Sequence, residues 1–292
     1  MSIERTTAAC WLAAGTPGVV VEVAQTAGSV PREAGTRMLV SATQAVGTIG
    51  GGHLELMAIE NARTLLARVP DFDPVDRHYP LGPALGQCCG GAVTLRFARL
   101  DACIARDWPA AAPRFVLQLY GAGHVGRAIV RLLAGIACQV QWIDERENEF
   151  PADVALPPHI ERVCVDPVEA EVDIAPAGAC YLVLTHRHDL DMRITEAILR
   201  RGDFGFLGLI GSRTKRARFL HRYERRGIPA ATLDRMTCPI GVPGIEGKEP
   251  DVIAVAVVAQ LLQLQLPAPA GAAQDVMAVH RAAPAHEPRY VL

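Results

Sequence analysis

The stretch Phe115-Val116-Leu117-Gln118-Leu119-Tyr120-Gly121-Ala122-Gly123-His124-Val125-Gly126 decides the fold of the second half of the chain. Phe115 to Tyr120 reads as a buried strand, and Gly121 to Gly126 matches G-x-G-x-x-G where that strand gives way to a helix. Glycines serve three ends in such a turn: a tight reversal, close approach of backbone to a pyrophosphate, and helix–strand packing. The helix is expected over Val125 to Leu133 and a second strand over Gln139 to Ile143. Asp144 closes that strand 18 residues after Gly126, where a carboxylate can take a ribose 2′-hydroxyl. Gly121, Gly123, Gly126 and Asp144 are therefore candidate cofactor-binding residues, with NAD(P) as one candidate ligand. The same geometry can also serve another phosphate ligand, or persist without one.

Outward from this turn, further strands are expected at Arg162–Val165, Cys180–Leu184 and Phe204–Ile210. Helices are expected at Met192–Arg201, Thr214–Arg226 and Glu249–Leu266. Strands alternating with helices imply a doubly wound parallel sheet. The N-terminal part reads differently, with short strands at Val19–Ala24, Arg37–Val40, Ala45–Ile49 and Ala92–Phe97. A helix from Leu54 carries Met57, Ala58, Ala62, Leu65, Leu66 and Val69 at steps of three and four. The expected fold class is α/β: a C-terminal Rossmann-like doubly wound parallel sheet preceded by a smaller mixed α+β domain. The expected boundaries are 1–104 for the first domain, 105–114 for an Ala/Pro-containing linker, 115–266 for the Rossmann-like domain and 267–292 for a flexible, low-complexity tail.

The chain has 292 residues with 31 acidic and 29 basic side chains, so a net charge of -2 argues against a general nucleic-acid or membrane-surface binder. The longest apolar run, Val252 to Ala259, is too short to span a bilayer, and the N-terminus lacks the basic start of a secretory signal. A cytoplasmic protein without disulfides is the expectation. Periodicity leaves open whether the apolar helix Val252–Leu266 is core or the face of a homo-oligomer. Of eight cysteines, six lie singly in apolar or loop context and read mostly as small core hydrophobes. Cys88-Cys89, between Gly86-Gln87 and Gly90-Gly91, fit no apolar period and are candidates for a persulfide carrier or a soft-metal ligand.

Three further strings carry chemistry. Thr185-His186-Arg187-His188-Asp189-Leu190-Asp191 follows a strand, where doubly wound folds place ligands. His186 and His188 are candidate metal ligands, against a polar site loop or a helix cap through Asp189. Gly211-Ser212-Arg213 opens a helix bearing seven Lys/Arg from Arg213 to Arg226 against the single acid Glu224. Arg213 suits an anion such as phosphate, while the outer arginines read as a solvated face or a partner surface. Finally, Gly50-Gly51-Gly52 before a helix forms a candidate anion nest, and Arg32 offers a guanidinium for phosphate or carboxylate.

Taken together the strings resemble the XdhC/CoxI family. The matching pieces are Gly28-Ser29-Val30-Pro31-Arg32 with Gly35, Gly47 to Glu55, Gly86-Gln87-Cys88-Cys89-Gly90-Gly91, the Gly121 to Gly126 turn, Thr185-His186-Arg187-His188, Gly211-Ser212-Arg213 and Cys238-Pro239-Ile240-Gly241, spread over about residues 8 to 265. The resemblance implies an accessory protein, a chaperone with no turnover of its own. Such a protein binds molybdenum cofactor (molybdopterin), assists its sulfuration with sulfur from a cysteine desulfurase, and delivers it to xanthine dehydrogenase, in purine catabolism. Cys89 matches the Cys-Gly-Gly of that family and is a candidate ligand near the metal; Cys88 is an additional thiol. The alternatives are an NAD(P)-dependent oxidoreductase built on the glycine turn and, third, a metallohydrolase using His186 and His188.

Overall fold

The computed structural model describes residues 3–68, 72–82, 90–101, 104, 108, 113–152 and 154–266. The chain divides into two compact units, Met1–Ala111 and Ala112–Leu292.

In the first unit the strands are β1 (Val19–Ala27), β2 (Arg37–Val40), β3 (Ala45–Gly47), β4 (Val75–Pro80) and β5 (Ala92–Arg99). They form one antiparallel sheet in the order β3-β2-β1-β5-β4, with Val19 opposite Val40 and Val21 opposite Met38. Successive strand residues point to opposite faces, and Val19 to Val23 uses both. Val19, Val21 and Val23 pack with Leu54, Ala58 and Ala62 of helix α2 (Gly52–Arg68). Val20 and Leu39 meet Ala8 and Trp11 of helix α1 (Ile3–Ala13). Helix α1 and strand β4 are additions to the sequence-based expectation. The strand lies at the sheet edge and carries Asp76, Arg77 and His78 in succession, a run too polar to signal a core strand.

The second unit holds β6 (Val116–Tyr120), β7 (Gln139–Asp144), β8 (Ile160–Cys164), β9 (Cys180–Val183), β10 (Phe206–Leu209) and β11 (Met236–Thr237). The sheet is parallel throughout, in the order β11-β10-β9-β6-β7-β8. Counted from β6 this is the 3-2-1-4-5-6 order of the dinucleotide-binding fold, whose chain reverses direction across the sheet between β6 and β9. Helices α3 (His124–Leu133) and α8 (Pro250–Gln263) cover one face, burying Ile129, Leu133, Val257 and Leu261 against Leu117, Leu119, Val140 and Leu182. The apolar helix whose role periodicity left open thus gives one side to the core, while Val255 and Leu262 on its other side are exposed. The short helix α4 (Glu171–Ile174), α5 (His188–Arg201) and α6 (Arg213–Arg225) cover the other face; a further short helix, α7, spans Ala230–Leu233. Because both faces are covered, β6, β7, β9 and β10 are buried at every position.

The cysteines divide. Cys138, Cys180 and Cys238 are buried as expected of core residues, and burial pushes the first two thiols up to about 12. Cys10 and Cys164 instead lie at the surface. Cys88, Cys89, most of the expected linker and the tail 267–292 lie outside the described residues.

Candidate functional site

The glycine turn is tied down from the neighbouring strand. The Trp142 indole N–H donates to the Gly121 carbonyl (3.1 Å), and the Ala122 N–H donates to Asp144 Oδ2 (2.7 Å). Gly121 has φ +121, and a side-chain carbon there would collide with the Leu184 carbonyl oxygen; one on Gly126 would collide with the carbonyl oxygen of Gly121. The fold itself therefore requires these two glycines. Gly123 is different: φ is -70, which any residue adopts, and a Cβ would meet nothing within 4 Å. It stands at the N-cap of α3 with no side-chain cap, so the first-turn N–H groups are left for water or a ligand.

Asp144 closes β7 as expected, but its carboxylate is taken by the chain's own donors. Its side chain is 3% exposed and accepts from Arg146 Nε (2.9 Å), Arg146 Nη2 (3.0 Å) and the Arg146 N–H (3.0 Å) as well as from Ala122. In this arrangement Asp144 holds the turn to the strand; contact with a ribose would need one of these bonds released. Burial acts to raise its pKa, but the hydrogen bonds from Arg146 and Ala122 outweigh it and hold the carboxyl below its ordinary value. A lowered folded value means the contribution is complete above the unfolded pKa of about 4 and disappears as pH falls through the folded value. Urea titrations between about pH 6 and pH 3 are therefore expected to show a steeper acid loss for wild type than for Asp144→Asn. Equal slopes would refute this role.

At the carboxyl ends of β9 and β10 a second cluster forms. Helix α5 begins at His188, four residues ahead of the expected Met192, which brings Asp191 into its first turn. Asp191 is 1% exposed and Oδ1 accepts from the Thr185 N–H (3.0 Å) and hydroxyl (2.7 Å). Its other oxygen accepts from Lys215 Nζ (2.6 Å), which also donates to the Ile210 carbonyl (2.8 Å). The two residues come from strings 24 positions apart that share no sequence signal. They line a cleft of about 1000 Å³ between α5 and α6.

His186 Nε2 lies 3.8 Å and Arg187 Nη1 3.7 Å from Glu145 Oε1. Since β6 runs between β7 and β9, these contacts cross its carboxyl end beside the glycine turn. His188 Nδ1 is 4.0 Å from Asp191. Among the described residues no group of three or more His, Cys, Asp or Glu side chains converges on a metal position, so His186 and His188 gain no further ligand there. Arg213 is exposed at the first position of α6 and is not among the residues lining the cleft. Lys215, Arg218, Arg222 and Arg225 do line it, so the arginines expected on a solvated face or a partner surface are exposed and also form one wall of the cleft. Their spacing of three and four was the available signal.

In the first unit the Gly50-Gly51-Gly52 nest holds an anion belonging to the chain. Glu55 Oε2 accepts from the Thr48 hydroxyl (2.5 Å), the Ile49 N–H (3.1 Å) and the Gly51 N–H (3.1 Å). Glu55→Ala is expected to cost about 2 kcal/mol, as for loss of charge-assisted bonds, with Glu55→Gln nearer wild type; urea midpoints check this. A Cβ on Gly50 would meet the Pro31 ring, 2.5 Å away, with Arg32 next to it, and one on Gly91 would collide with the Ser29 carbonyl. Three of the motif strings therefore converge: Gly28 to the exposed Arg32, Gly50 to Gly52, and the Gly90-Gly91 end of the string that contains Cys88 and Cys89.

A family model described as the XdhC Rossmann domain matches residues 117–261, and one described as the XdhC and CoxI family matches residues 11–72. The chain belongs to the XdhC and CoxI family. Both matches fall on the units described above, the first on the parallel sheet and the second on the antiparallel one. Among curated proteins, the chain is 27% identical over 256 residues to the uncharacterized protein YqeB of Escherichia coli (strain K12), covering 87% of this chain and 45% of that protein. The chain thus spans less than half the length of that relative. A solved structure of a xanthine dehydrogenase from Bacillus halodurans superimposes with a TM-score of 0.68 at 18% identity, covering 99% of this chain and 98% of that one. At that identity the likeness is one of fold. Among the described residues of this XdhC-family chain, no helix is long and apolar enough to cross a membrane.

Proposed function

We propose that this protein is a cytoplasmic chaperone that binds molybdenum cofactor, assists its sulfuration and hands it to xanthine dehydrogenase, with a cysteine desulfurase as sulfur source. The observation that carries the reading is Gly123, a glycine that packing does not require, open above an uncapped helix N-terminus in an XdhC Rossmann domain. A phosphate fits there, and molybdopterin carries one. In the first unit, taken by itself, Arg32 is an exposed guanidinium suited to an anion, and Cys89, joined to Gly90, is the candidate thiolate for the soft metal. When bound, the cofactor supplies the molybdenum centre and its terminal sulfur ligand. This chain's part is to hold the phosphate, shield the centre and present it to the recipient.

The test is anaerobic purification from a host that makes molybdopterin, followed by pterin fluorescence and molybdenum analysis. Wild type is expected to carry both, and Cys89→Ala to carry less. Wild-type protein isolated without pterin and unable to take it up would overturn the proposal. A second reading, an NAD(P)-binding oxidoreductase, shares the open Gly123; the engagement of Asp144 with Arg146 and Ala122 weighs against ribose recognition. Calorimetric titration with NAD⁺ and NADP⁺ separates the two.

A further inference from the structure

We infer that the cleft between α5 and α6 is the seat of a phosphorylated ligand of cofactor size, its phosphate received by Arg218, Arg222 and Arg225 and anchored by Lys215. The inference stands on the cleft and does not depend on the molybdenum reading.

Charge comes first. Among the described residues the only acid in the lining is Asp191, and Lys215 neutralises it at 2.6 Å. Arg226 is paired with Glu196. Arg218 and Arg225 have no carboxylate partner among the described residues, and the contact of Arg222 is a neutral one, to the Met192 sulfur (3.1 Å). Three unbalanced guanidiniums thus stand on successive turns of one helix. Like charges at this spacing destabilise a helix, a cost that an incoming anion relieves. A single carboxylate would balance one of them. A phosphomonoester or diphosphate balances two or more, and guanidinium forks match phosphate oxygens in bidentate geometry.

The floor is built for the same end. Lys215 is only 11% exposed, and Asp191 and the Ile210 carbonyl take two of its three N–H donors. The third remains for the cleft that Lys215 lines. The cleft has room for more than a free phosphate, because about 1000 Å³ is at the upper end for small-molecule sites. Met192, Ile210 and Phe219 supply an apolar wall for an organic body. A concave, partly apolar site favours a small ligand over an acidic protein surface.

The test is calorimetric titration of the full chain with inorganic pyrophosphate, ADP, a pterin monophosphate and poly-glutamate, in about 50 mM salt so that screening stays modest. Pyrophosphate is expected to bind. The R218Q/R222Q/R225Q variant, whose altered side chains are exposed, is expected to bind it about tenfold more weakly or worse. The tighter of ADP and the pterin phosphate then identifies the organic body. Unchanged affinity in the triple variant, absence of binding by all three phosphates, or tight binding of poly-glutamate alone would overturn the inference. The two proposals fail separately. Pterin that co-purifies with wild type, together with pyrophosphate affinity unchanged in the triple variant, keeps the chaperone and removes this seat. Arginine-dependent pyrophosphate binding in protein isolated without pterin does the reverse.

Discussion

Gly121→Ala is expected to destabilise the Rossmann unit by on the order of 4 kcal/mol, with two causes acting at one position. The backbone there has φ +121, a region that costs an L-residue about 1–3 kcal/mol. A Cβ would also collide with the Leu184 carbonyl oxygen, which is fixed because the Leu184 N–H donates to the Tyr120 carbonyl (2.9 Å). Relief would require separating β6 from β9, the strands on either side of the reversal point. Gly126→Ala meets the Gly121 carbonyl and is expected to lose about 3 kcal/mol from overpacking alone. Gly123→Ala is the contrast: no strain and no neighbour, so a loss of about 1 kcal/mol or less, from replacing a tolerated N-cap by a poor one. If the open face of Gly123 receives a phosphate, that same variant weakens ligand binding while remaining folded. Urea unfolding followed by circular dichroism checks the series. A Gly121→Ala protein within about 1 kcal/mol of wild type would refute the steric account.

The same three glycines show what was legible in the sequence and what was not. The strand–turn–helix pattern with its spacing is local, so residues 115–126 were enough to place the turn. The alternation of strands and helices was enough for a doubly wound parallel sheet, while the order of its strands comes from the structure. What distinguished Gly121 and Gly126 from Gly123 was the approach of Leu184 and of the turn's own carbonyl, which no string shows. The role of Asp144 was misleading for a similar reason: its position matched a ribose ligand, but Arg146, two residues on, supplies the donors. Glu55 followed the glycine nest by three residues, close enough to be its anion, yet the nest was read for an external one. Helix α1 went unread because Ala8 and Trp11 are too few apolar positions to define a period. Arg218, Arg222 and Arg225 carried a readable helical spacing, but which way the face turned depended on α5. The pairing of Asp191 with Lys215 is the clearest case of long-range information, since each residue is unremarkable in its own string.

Asp191→Ala is expected to cost about 3–5 kcal/mol, the range for removing one member of a buried, hydrogen-bonded ion pair. The loss has three parts on the page. Lys215, 11% exposed, loses its carboxylate and is left with the Ile210 carbonyl and the face of the Phe219 ring, 5.4 Å from Nζ. The Thr185 N–H and hydroxyl lose their common acceptor. Position 191 itself, 1% exposed, becomes a cavity. Asp191→Asn keeps an acceptor for Thr185 but turns an NH₂ toward the ammonium, so it falls between wild type and alanine. Removing both charges tests the cause. A buried pair costs desolvation that its attraction barely repays, so Asp191→Leu with Lys215→Met is expected to recover much of the loss seen in Asp191→Ala. A thermal melt reads the difference as a depression of about 10 °C for the single variant and a smaller one for the double. A single variant that melts within about 2 °C of wild type would mean that the pair behaves as a surface contact. The double variant also separates two roles that the single one confounds: it keeps the helix packing, loses the ammonium from the cleft floor, and so is expected to be folded yet weak for pyrophosphate.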